Sequence, residues 1–185
     1  MPRNRGLLTH HVLSSPRFAP GGPARQRLFD LLSDEAAAVL SGPILPSSWY
    51  DENAAVELAR AVRIVLDLAD DDAFKDYYRK ATTVSYSRVY KFLFSLFSPG
   101  TLISRAPSVW RRQHDTGEVV VDEARADGVR GRIVGDPCVA DPDYSLVILA
   151  GMEAVAAMTG VRPVRGTRRV ISQQEIEFSL SWPAR

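Results

Sequence analysis

Between Pro107 and Val121 the sequence PSVWRRQHDTGEVVV passes from helical to strand character, and this transition limits the folds open to the chain. Trp110 can anchor the end of a short helix on a core. Asp115-Thr116-Gly117 then makes a polar turn, with Gly117 suited to the positive φ that sharp entry into a strand often needs. Most of the chain before the turn has helical period, and most of the chain after it alternates with period two around one long apolar helix. Helices first and antiparallel strands afterwards define an α+β domain: N-terminal helices packed on a mainly antiparallel sheet, with one buried helix in the C-terminal half.

Residues 1–27 hold five arginines and no acid, together with Pro16, Pro20, Gly21, Gly22 and Pro23. Gly6 to Leu13 is read as able to add one strand and the Pro/Gly cluster as a loop; a basic tail is the alternative. Residues 28–185 are read as a single α+β domain. Its helices are expected from Arg27 to Leu40, stopped by Gly42-Pro43, and from about Asp51 to Leu68. Asp70-Asp71-Asp72 reads as the start of the next helix, because carboxylates there meet free backbone N–H groups and the positive end of the dipole. As a metal site the triplet lacks EF-hand spacing. Between Ala73 and Phe97 lies half of the chain's aromatic complement. Positions 74, 78, 82, 86, 90 and 94 form one i,i+4 row, which reads as core, as the wall of an aromatic pocket, or as a helical dimer seam.

A short helical piece, Leu102 to Arg105, leads to Pro107. Beyond the turn, Asp127-Gly128 marks a hairpin between strands at Glu118 to Asp122 and Val129 to Val134. Tyr144 to Thr159 is a helix apolar on nearly every side except at Glu153, ended by Gly160. Gly151 in it is expected to serve close packing of the helix backbone. Val164 to Val170 and Glu175 to Trp182 complete the strands, the second with Ile176, Phe178, Leu180 and Trp182 on one face.

Twenty-three basic and 22 acidic residues leave a net charge of +1, which supplies no field to attract nucleic acid or an anionic membrane. Arg130, Arg132, Arg165, Arg168 and Arg169 cluster in the strands, but Asp122, Glu123, Glu175 and Glu177 are placed to neutralise them as a salt-bridged exterior. The single Cys138 precludes an internal disulfide and favours the cytoplasm. The longest apolar run, Tyr144 to Met158, carries Glu153 and falls short of the ~20 residues that cross a bilayer.

Chemistry is sparse. Cys138 and His114 are a conceivable nucleophile and base, yet they belong to no recognised spacing. Zinc motifs, Walker loops and Rossmann turns are missing. No metal, cofactor or catalytic residue is therefore expected.

Trp49-Tyr50 before an amphipathic helix, the aromatic stretch Phe74 to Phe97, Pro107-x-x-Trp110, Asp115-x-Gly117 and the glycine-bearing helix near the C-terminus together resemble an uncharacterised bacterial domain family best known from myxobacteria. The resemblance spans Leu28 to Trp182 and departs from that family's Trp-Tyr-Pro run in having Asp51 after Tyr50. That family in turn is similar to the ligand-binding fold of haem-NO-binding-associated, vinyl-reductase-like and vesicle-tethering domains. The resemblance implies a helical layer on an antiparallel sheet with an apolar pocket or interaction surface between them, and no catalytic residues. The expectation is a non-catalytic sensory or binding module that holds a hydrophobic small molecule among Trp49, Tyr78, Tyr86, Tyr90, Phe94 and Trp110. The alternative is a protein-interaction or scaffold domain, homodimeric through the aromatic helix or the sheet edge.

Overall fold

A computed structural model describes residues 1–86 and 96–183. The chain enters through a short strand, β1 (Arg3–Arg5), and a helix, α1 (Leu7–Leu13). The expected strand thus lies earlier than Gly6, and the Leu7, Leu8, Val12 and Leu13 pattern is helical. A 3-10 turn at Pro16–Phe18 buries Phe18 completely. The single helix expected from Arg27 to Leu40 is two, α2 (Pro23–Phe29) and α3 (Asp34–Ser41). The break falls where Ser33 turns its hydroxyl to accept the Ala36 N–H, a cap stronger than the apolar periodicity that runs through it. Ser33 is held in turn by Glu57, which accepts from both its N–H and its hydroxyl.

The second strand, β2 (Trp49–Asp51), pairs antiparallel with β1, Asn4 lying opposite Tyr50. Asp51 then caps α4 (Glu52–Val65), and Asp70 caps α5 (Asp71–Ser85) by accepting the Ala73 N–H. The expected helical piece at Leu102 to Arg105 is part of a longer helix, α6 (Pro99–Gln113), which continues through Pro107. Gly117 has the expected positive φ, +69°.

Four strands follow in a wholly antiparallel sheet of order β3-β4-β6-β5: β3 (Glu118–Arg125), β4 (Gly128–Val134), β5 (Arg165–Ser172) and β6 (Glu175–Ser181). The β3–β4 hairpin closes at Arg125 opposite Gly128, so Ala126-Asp127 is its turn. Between the two hairpins runs α7 (Pro142–Met158), capped by Asp141 and packed on α4, α5 and β5. Its buried acid, Glu153, is 2% exposed and accepts the Gly166 N–H at 2.7 Å, with Arg79 3.3 Å from its other oxygen. On the sheet, Ile176, Phe178 and Leu180 are buried against α7 and α6. The opposite face carries the expected ion pairs, Arg132 with Asp122 and Glu175, Arg130 with Glu123, and Arg169 with Glu177.

A candidate ligand cavity and its polar end

α7 packs on β5 and β6 while α6 packs on β3, and the space between them is not closed completely. Between them lies an apolar cavity of about 270 Å³, walled by α1, α4, α5, α6, α7 and the inner face of the sheet. Leu58, Leu102, Ile103, Val147, Met152 and Phe178 contribute much of that wall. Gly151 faces this space, and a Cβ built on it meets nothing within 4 Å. The expectation that Gly151 serves close packing is therefore overturned.

Of the aromatic residues expected at a ligand site, Tyr78, Tyr86 and Trp110 line the cavity. Tyr78 is 2% exposed and packs edge-on against Phe74 and Tyr77. Trp110 reaches the wall from α6, its indole N–H donating to the Thr116 carbonyl at 3.0 Å. Trp49 is not among the lining residues: it lies on β2 with the Arg5 guanidinium 4.3 Å from its ring centre. Tyr90 and Phe94 lie outside the described residues.

The cavity has one polar end, which sequence reading missed. There β1 is laid across the start of α4 and the end of α6. Arg3 donates its N–H to Asp115 at 2.6 Å, and the Asp115 N–H returns to the Arg3 carbonyl at 2.9 Å. This brings Asn4 to Tyr144, whose hydroxyl it meets at 3.0 Å, and the Tyr144 hydroxyl donates to Glu52 Oε1 at 2.5 Å. His114 Nδ1 lies 2.8 Å from the same oxygen, and its ring stacks on Trp110 at 3.7 Å and 4°. Asp136 joins from the loop after β4, accepting the Cys138 N–H at 2.8 Å and the Thr116 hydroxyl at 3.3 Å. A Cβ on Gly117 would sit 2.7 Å from the Asp136 Cβ, so a glycine is needed for this approach.

Burial, then the Glu52 charge, pushes the Asp136 carboxyl up to about 6. Burial likewise raises the Tyr144 hydroxyl and keeps it a donor. The conceivable Cys138–His114 pair is not made. His114 is engaged by Glu52, the Cys138 thiol lies 3.6 Å from Asn53 Oδ1, and burial pushes that thiol up to about 12. Glu52 follows the Asp51 cap and Asp136 sits in a Gly-Asp-Pro loop, so each reads in sequence as ordinary turn chemistry. Only the fold brings residues 52, 114, 136 and 144 together.

No family model and no curated protein sequence matches this chain, and the myxobacterial resemblance rests on the residues named for it alone. Solved structures do match. A point mutant of the H-NOX protein from K. algicida, in its Fe(II) unliganded form, superposes with a TM-score of 0.70 at 14% identity, over 97% of this chain and 96% of that one. The H-NOX protein from S. oneidensis in the Fe(II)NO state gives 0.65 at 8% identity, over 97% and 99%. A structure concerned with heme redox potential and protein-induced porphyrin distortion gives 0.54 at 11% identity, over 96% and 99%. This chain has the α+β fold of the H-NOX proteins.

Proposed function

We propose that this domain is a non-catalytic sensory or binding module whose cavity takes a hydrophobic small molecule. The cavity itself carries the reading: a space of about 270 Å³ with almost wholly apolar walls lies near the lower end of the ~300–1,000 Å³ usual for small-molecule pockets. Two lining residues, Asn4 and Thr82, also carry a buried oxygen, Oδ1 and Oγ1, with no hydrogen-bond partner. Tyr78, Tyr86 and Trp110 would contact the bound molecule.

The superposed H-NOX structures raise haem as an occupant, and the described wall offers little charge to receive it. Haem iron takes a His, Cys, Met or Tyr ligand. Among the described lining residues, His114, Tyr78, Tyr86, Tyr144 and Met152 are of these types; the Tyr144 hydroxyl is given to Glu52, and His114 has Nδ1 on Glu52 and its ring stacked on Trp110. Arg5 is the sole Lys or Arg among the described lining residues, where haem brings two propionates. An organic ligand suits the wall better.

Native mass spectrometry of the purified chain tests the reading. We expect an added mass that leaves on denaturation, or saturable uptake of a solvatochromic apolar dye that Gly151→Phe abolishes while the circular dichroism spectrum is kept. A bare chain that takes up no dye would refute it, and a bare dimer would point to the scaffold role.

A further inference from the structure

Glu52, His114 and Asp136 reach one point from three separate parts of the chain: the first residue of α4, the residue after α6 and the loop after β4. One donor atom from each lies within 4.8 Å of the others. Both carboxylates are wholly buried, at 0% exposure, and the His114 side chain is 13% exposed. Two buried carboxylates need compensation, because buried charges are paired or coordinate metals. Among the described residues, Glu52 has only His114 as an ion partner, and Asp136 has none within salt-bridge distance. Glu52 Oε1 is already shared by His114 and Tyr144, while its other oxygen, Oε2, is buried with no hydrogen-bond partner.

We propose that this cluster is a binding site for a divalent transition-metal ion of the zinc type, with His114 Nδ1 and the carboxylates of Glu52 and Asp136 as ligands. One imidazole with two carboxylates is a mixed N/O donor set of the kind zinc accepts. Donors each about 2.0–2.2 Å from one zinc ion stand roughly 3–4 Å apart. The His114–Glu52 hydrogen bond, at 2.8 Å, would open slightly and give up its proton, while the remaining pairs, within 4.8 Å, would draw in.

A double positive charge offsets the two carboxylates, and it gives Oε2 of Glu52 a partner. The surrounding contacts are those of an outer ligand shell: the Tyr144 hydroxyl on Glu52, the Thr116 hydroxyl and Cys138 N–H on Asp136, and the Trp110 face on His114. The ion would sit behind the cavity wall, since His114 and Tyr144 line the cavity and Glu52 and Asp136 do not. Its existence is independent of any cavity ligand.

The full chain, stripped with a chelator, is titrated with Co(II) and with Zn(II). We expect one equivalent of Co(II) to bind with visible d–d absorption and Zn(II) to raise the melting temperature. Glu52→Gln and Asp136→Asn should each weaken uptake at least about tenfold, while a His10→Ala/His11→Ala control leaves it unchanged. Where a variant fails to fold in chelator, anomalous scattering at the zinc edge from a crystal of the wild-type chain locates the ion instead. Absence of stoichiometric uptake, uptake undiminished in both carboxylate variants, or an ion located elsewhere would each overturn the proposal.

Discussion

At the scale of single residues, Gly151 has the most direct consequences. It sits inside α7 with open space where its side chain would be. Gly151→Ala should therefore stabilise the fold by about 0.5–1 kcal/mol through helix propensity alone, read as an increase in the denaturation midpoint without loss of dye uptake. A decrease would mean that the helix backbone is more crowded than it stands here. Cys138 is 6% exposed with its thiol pushed up to about 12, so iodoacetamide at mildly alkaline pH should label it only at the rate of unfolding. Asp136 sets a pH dependence. Its carboxyl, at about 6 in the fold and near 3.8 when free, binds its proton more tightly when folded. It thus contributes stability that is full below about pH 3.8 and lost as the pH rises through about 6. Urea melts of chelated protein should show this fall, and Asp136→Asn should flatten it.

Among the elements, caps decide what periodicity leaves open. The run Leu28, Leu31, Leu32, Val39 and Leu40 predicts one helix, yet Ser33 ends that pattern because its side chain serves both Ala36 and Glu57. Ser33→Ala should cost about 1–2 kcal/mol in a thermal or urea melt, since both contacts go at once. The opposite outcome occurs at Pro107, where a residue that usually ends a helix lies inside α6. The cap at Asp70, the inward face of β6 and the existence of the β3–β4 hairpin were legible, because each depends on neighbours in sequence, but the hairpin's turn, expected at Asp127-Gly128, falls one residue earlier at Ala126-Asp127.

Over the whole molecule, legibility ends where function begins. The layer architecture follows from periods of about 3.6 and 2, and the superposition on H-NOX structures agrees with it. The cavity depends on what two layers leave unfilled. Aromatic composition and spacing pointed to Tyr78, Tyr86 and Trp110, which line it, and equally to Trp49, which does not. The polar cluster at its end joins residues 52, 114, 136 and 144, a combination that no local motif encodes.

One wall of the cavity is made by residues near the start of the chain, from Asn4 to Val12, held at its leading end by a three-residue strand and the Arg3–Asp115 contacts. A strand of three residues opens at lower cost than a core. Exchange of anything inside is therefore governed by a local equilibrium with its own rate constant. Residence time should shorten on removing the side-chain part of the Arg3–Asp115 link by Asp115→Ala, even where the global melting temperature barely moves.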